Sequence, residues 1–168
     1  QDFIYRSGST GTGTTASEVL QQRAGVCQDF AHVLLSCLRA QGLAVKVDDR
    51  EGLQPGAKYY EWERKGVPVR IEVGPKDLEK GSLCVVRRFV LEQEGESEQD
   101  LRKRKKQFLP RAEAIGGMPA LMDVLQKELL ERARAMREKR SRIIDTLEDF
   151  EAFLKGEGGG FAWVHWAG

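Results

Sequence analysis

Apolar positions recur along this chain in short runs separated by clear punctuation. Residues 6–14, RSGSTGTGT, show no periodicity and read as a loop of glycines and small hydroxyls. Thr15 followed by Glu18 has the spacing of a capping box and predicts a short helix over ASEVLQQR, which Gly25 breaks. From about Cys27 to Gln41 the residues Phe30, Leu34, Cys37, Leu38 and Gln41 recur every three to four positions, predicting a second helix that Gly42 stops. Leu43–Val47 reads as a strand, and residues 48–66, DDREGLQPGAKYYEWERKG, as a turn-rich stretch. In VPVRIEVG the alternation is clean: Val67, Val69, Ile71 and Val73 share one side, Arg70 and Glu72 the other.

A turn over PKDLEKG leads to LCVVRRF, a further predicted strand. Residues 92–107, EQEGESEQDLRKRKKQ, are almost wholly polar and read as a surface excursion. Pro119 suits a first helical position, and residues 119–140 form a long amphipathic pattern. Asp145 with Glu148 is expected to cap a helix over TLEDFEAFLK, after which GEGGG gives a tight approach to a last strand, FAWVHW. This alternation predicts an α/β architecture with a mixed β-sheet packed with helices.

Composition narrows the class. The 168 residues carry a net charge of only +1, no apolar run of transmembrane length and no secretory leader. Three cysteines, Cys27, Cys37 and Cys84, form no metal-binding spacing, and their odd number points to a reducing, cytoplasmic setting. Cys37 and Cys84 read as small buried apolar residues. RKRKK at 102–106 and RARAMREKRSR at 132–142 are locally basic, either as solvated helix faces or as phosphate contacts.

Five stretches, VKVDDRE, PGAKYYEWERKGVPVRIEVGPKDLEKG, VVRRF, RIIDTLEDFEAF and GGFAWVHWAG, resemble the anticodon-binding domain of prolyl-tRNA synthetase of the archaeal and eukaryotic-like type. They span about Val45 to Gly168, and the block Trp62–Gly81 is the most specific. The resemblance implies the α/β fold of class II aminoacyl-tRNA synthetase anticodon-binding domains and a partner, the anticodon stem-loop of proline tRNA. It also implies that guanines are read by Glu63, Arg70, Lys76 and Asp77. The chemistry agrees, since carboxylates accept from guanine N1 and N2 while Arg and Lys donate to O6 and N7. Tyr59, Tyr60 and Trp62 are candidates for base stacking or for a packed core edge.

The opening differs. TTASEVL, RAGVCQDFAH and LRAQGL, within residues 3–43, resemble the catalytic-cysteine segment of the transglutaminase-like superfamily. That resemblance makes Cys27 a nucleophile whose pKa a helix N-terminus would lower, with the base supplied by a histidine from a later strand. His32 lies only five residues on along the same helix, and Phe161 stands where that family has its histidine. Cys27 is therefore expected to be vestigial, with His165 as a remote alternative base. The two resemblances meet near Leu43–Val45 without a linker. Together they predict a chimera: residues 1–44 as a helical segment that is not an independent domain, and 45–168 as the synthetase-like portion.

The expected function is non-catalytic, with at most residual binding of the anticodon loop. The alternatives are a cysteine-dependent acyl-transfer enzyme and a fold-test protein with no activity. Neither an ATP site nor a zinc site is visible, so no cofactor and no metal is expected. Because the synthetase family opens with a strand that is missing here, Phe3–Tyr5 is expected to dock on the open sheet edge, or a second copy to cover it as a homo-oligomer.

Overall fold

The computed structural model describes residues 4–11, 13–156 and 159–165. They fall into two compact units, Gln1–Leu125 and Gln126–Gly168.

The first unit opens with β1 (Ile4–Tyr5), α1 (Ala16–Gln22), β2 (Ala24–Gly25) and α2 (Cys27–Ala40). The capping box forms as expected: Glu18 N donates to Thr15 Oγ1, and Thr15 N to Glu18 Oε2. Gly42, at φ +79°, ends α2 where a side chain would be strained. Ile4–Tyr5 pairs in parallel with Ala24–Gly25 and adds nothing to the main sheet, which corrects the expected edge docking; Phe3 lies outside the described residues.

The next elements are α3 (Pro55–Arg64), β3 (Val69–Glu72), α4 (Pro75–Glu79), β4 (Ser82–Arg87), α5 (Glu98–Lys105), β5 (Lys106–Pro110), α6 (Arg111–Gly116) and the start of α7 (Met118–Arg140). Strands β3, β4 and β5 form an antiparallel sheet in that order, with β4 central. Its inner face builds the core. Leu83 and Val85 pack with Leu38 of α2, Ala114 of α6 and Met118 of α7, flanked by Val69, Ile71, Val73 and Leu109. The expected alternation thus holds from Val69 to Val73, while Val67 lies before the strand and outside this core.

Two expectations fail here, and a third, the surface excursion of residues 92–107, lies at the surface as expected but is ordered. Leu43–Val47 forms no strand: Leu43 and Val45 pack on the core, but no neighbouring strand among the described residues offers a hydrogen-bond ladder. The turn-rich stretch contains α3, with Pro55 in the first turn, where a missing N–H costs nothing. The polar excursion folds into α5 and β5, capped by Ser97 and clasped by Arg104, which binds both oxygens of Glu96 at 2.8 Å and the Leu91 carbonyl at 3.0 Å.

The second unit holds the later turns of α7, then β6 (Ser141–Ile144), α8 (Leu147–Lys155) and β7 (Phe161–Val164). β6 and β7 are parallel and joined through α8. The cap of α8 is Thr146, whose Oγ1 accepts from Asp149 N at 3.1 Å, not the expected Asp145. Gly160 passes so close to the Arg140 carbonyl that a Cβ would lie 2.5 Å from the oxygen, the tight approach expected before the last strand. No helix among the described residues is long and apolar enough to cross a membrane.

Candidate nucleic-acid interface

Because side chains alternate along a strand, Arg70 and Glu72 point away from the core that Val69 and Ile71 enter. The register extends this outer face across the sheet. Arg70 lies opposite Val86, which lies opposite Lys106; Glu72 lies opposite Cys84, which lies opposite Phe108. Helix α3 borders the Arg70 end.

Arg70 is held on three sides. Its Nη1 donates to Glu63 Oε1 at 2.9 Å, its Nε to Glu72 Oε1 at 3.0 Å, and its guanidinium lies 3.8 Å from the centre of the Tyr59 ring. Nη2 takes no partner among the described residues. Glu63 is half exposed and keeps Oε2 for an outside donor. A donor and an acceptor therefore stand side by side at the surface.

Glu72 anchors this arrangement. Lys106 Nζ reaches its Oε2 at 3.0 Å from β5, and the Cys84 thiol lies 3.7 Å from the same oxygen. Burial works against the Glu72 charge, but hydrogen bonds from Lys106 and Arg70 outweigh it and hold the carboxyl below its ordinary range. Burial pushes the Cys84 thiol up, and the Glu72 charge adds to this. Cys84 is 1% exposed, as expected for a small core residue, whereas Cys37 is only half-buried.

Lys76 and Asp77 sit beyond the end of β3 on α4, and no ion pair or hydrogen bond joins them to Glu63 or Arg70. Lys76 is exposed. One oxygen of Asp77 accepts from Gly74 N at 3.1 Å and caps α4, which leaves the other for a ligand.

Asp77 also bears on Cys27. Burial pushes the Cys27 thiol up, the backbone hydrogen bond at the start of α2 offsets part of this, and the nearby Asp77 charge adds to the rise. The expected lowering of this pKa is therefore corrected. The helix N-terminus is already answered by the buried Asp29, which accepts from Val26 N at 2.7 Å. His32 is exposed on α2, and His165 faces Asp145 within the second unit at 3.5 Å.

The three aromatic candidates separate. Tyr59 is covered by Arg70, whereas Tyr60 is 69% exposed. Trp62 donates through Nε1 to Asp48 at 2.7 Å, with Lys65 at 4.7 Å and Lys46 at 5.2 Å from its ring centre. Hydrogen bonds from Arg50 lead the effects that hold Asp48 well below the ordinary carboxylate range. In the basic run, Arg102 pairs with Glu98, Lys103 with Asp100 and Arg104 with Glu96, so much of its charge is answered locally. No group of three or more His, Cys, Asp or Glu among the described residues is placed to hold a metal ion.

Sequence reasoning placed Glu72 on the side of Arg70 but missed Lys106 and Phe108 as members of this face. The signal was present in KQFLP, where Lys106 and Phe108 alternate with Gln107 and Leu109, but the preceding run of charges masked it.

Residues 18–115, more than half of the chain, match the family model described as an anticodon binding domain. The match crosses the junction expected near residues 43–45. Proline–tRNA ligase 2 of Anaeromyxobacter dehalogenans is 41% identical over 139 residues, covering 76% of this chain and 25% of its own length. Proline–tRNA ligase of Deinococcus radiodurans is 44% identical over 114 residues, covering 68% of this chain and 20% of its own. Among solved structures, prolyl-tRNA synthetase from Cryptosporidium parvum superposes with a TM-score of 0.60 at 32% identity, over 73% of this chain and 22% of that one. The chain thus spans about a quarter or less of the length of these relatives.

Proposed function

The chain belongs to the anticodon binding domain family, in the form carried by prolyl-tRNA synthetases, and from that premise we propose that it binds the anticodon stem-loop of proline tRNA without catalysing a reaction itself. Glu63 and Arg70 read a guanine edge, and Lys76 and Asp77 extend the binding surface from the adjoining turn. The observation that carries this reading is the Glu63–Arg70 pair at 2.9 Å, with the Nη2 donors and the Oε2 acceptor left over. Guanine presents O6, an acceptor, beside N1–H, a donor, so one such pair answers both atoms; adenine reverses the pattern.

Fluorescence anisotropy with a proline anticodon stem-loop, and with the same loop carrying adenines for guanines, tests this. The native chain should prefer the guanine loop, and Arg70→Ala should abolish the preference at a cost of about 1–3 kcal/mol. Equal affinities for both loops, unchanged by Arg70→Ala, would refute it.

The origin of residues 3–43 as a segment exchanged from a transglutaminase-like protein rests on their sequence motifs alone, and a family match that begins at residue 18 weighs against it. Acyl transfer by Cys27 is the weaker activity, because burial and Asp77 both favour the neutral thiol. Homo-oligomerisation through an edge of the β3–β4–β5 sheet and a cytoplasmic setting complete the proposal.

A further inference from the structure

The edge strand β5 carries an aromatic ring that the fold does not use. Phe108 is 62% exposed, although burying a phenyl ring is among the larger gains a side chain offers. The core side of β5 is filled by Leu109, so Phe108 faces outward with Lys106. Register sets it in one row with Cys84 and Glu72, beside the row of Arg70, Val86 and Lys106. Two inter-strand spacings, roughly 10 Å, separate it from β3, which is within reach of a neighbouring nucleotide in an extended single strand. The Lys106 ammonium, while bound to Glu72, lies 5.8 Å from the ring centre, and the basic run that leads into the strand has Arg102, Lys103 and Arg104 paired with Glu98, Asp100 and Glu96. An exposed ring on the same sheet face as donors and acceptors for a base edge, with a lysine beside it, is how single-stranded RNA is held on sheets.

We propose that Phe108 is a stacking platform for a second unpaired base of the RNA loop, beside the base that Arg70 reads. This rests on the anticodon-loop reading and adds a residue to it. The occupant is a nucleobase rather than a second copy of the chain, because the ring stands in the register row next to that of Arg70, within one nucleotide step of the base that Arg70 reads, with the Lys106 ammonium beside it.

The test is a cycle with the full chain. Anisotropy is measured for the native protein, Phe108→Ala, Phe108→Leu and Phe108→Trp, against the proline anticodon stem-loop and versions with a single abasic site at each loop position. Phe108→Ala and Phe108→Leu should bind the intact loop roughly 5- to 100-fold more weakly, and Phe108→Trp should restore binding. One abasic position should weaken binding to the native protein by a similar factor but have no further effect on Phe108→Ala. Guanine preference should persist in all three variants. Unchanged affinity of Phe108→Ala, while Arg70→Ala still loses guanine preference, would overturn the stacking role and leave the base-reading proposal standing. Light scattering in which Phe108→Ala dissociates a dimer without changing RNA affinity would assign the ring to a second copy instead. If Arg70→Ala leaves the preference intact, the base-reading proposal fails by itself, and the abasic cycle still decides Phe108.

Discussion

Lys106 Nζ stands 3.0 Å from Glu72 Oε2, joining the two edge strands of the sheet over the buried Cys84. The pair lies behind Arg70 and fixes the carboxylate that holds its Nε. Glu72 is a positioning residue in this arrangement, and Lys106 and Arg70 together hold its carboxyl below the ordinary range against burial.

Lys106→Met should destabilise the fold by about 1–2 kcal/mol at neutral pH, the lower part of the range for hydrogen bonds to charged groups because Lys106 is partly exposed. The Glu72 carboxyl is depressed in the folded state, so its stabilisation is full above the ordinary carboxylate pKa and is lost as pH falls through the folded value. The Glu72 hydrogen bond raises the Lys106 pKa, so that contribution is lost only at strongly alkaline pH. Denaturant unfolding of both proteins at neutral and acid pH should therefore show a difference that shrinks in acid. A difference independent of pH would contradict the assignment.

Cys27 should alkylate slowly with iodoacetamide at neutral pH, with a rate that rises only above the ordinary thiol range. Asp77→Asn should speed the reaction at a given pH, since it removes a nearby negative charge, while the amide oxygen can still accept from Gly74 N. Acyl transfer or amide hydrolysis should not exceed that of a Cys27→Ala control. A pH-dependent rate that disappears in that control would restore the catalytic reading.

Leu38→Ala tests how far residues 1–44 share the sheet's core. Leu38 is 3% exposed and packs in one cluster with Leu83 and Val85, so truncation should cost about 2–5 kcal/mol in a single cooperative transition. Two separate transitions, with only the minor one shifted, would mean that α2 is an appendage.

Changing Lys103 and Lys105 to Gln should weaken binding to guanine and adenine loops equally and flatten the salt dependence, by about 0.7 in the log–log slope for each phosphate no longer neutralised. Arg104→Gln should act differently, because Arg104 holds Glu96 and the Leu91 carbonyl. Its signature should be faster amide exchange across residues 91–96.

Signals that act within a few residues were legible in the chain. The Thr15–Glu18 box, the stop at Gly42 and the inward side of β3 each depend on atoms three or four positions apart, or on strict alternation. Helix α3 was also written locally, since Tyr59, Trp62 and Glu63 stand at helical spacing, but the surrounding Pro and Gly concealed it. The candidate residues Glu63, Arg70, Lys76 and Asp77 came from family resemblance, and only tertiary structure separates the touching pair from the two on α4.

What sequence could not decide depends on partners distant along the chain. Leu43–Val47 has strand-like residues, yet a strand exists only where another backbone completes its ladder, and none among the described residues does so here. Lys106 and Glu72 are 34 positions apart, and neither residue's neighbours reveal the other. Phe108, just past the charged excursion of residues 92–107, has no assigned face until β5 takes its place beside β4 and turns the ring outward. The helix start at Cys27 promised a reactive thiolate, but burial and an aspartate from α4 reversed that pKa. Sequence by itself determined which segments could be helices and which side of β3 faced inward; the fold decided which charges meet, because Coulomb and hydrogen-bond energies depend on distance in space rather than along the chain.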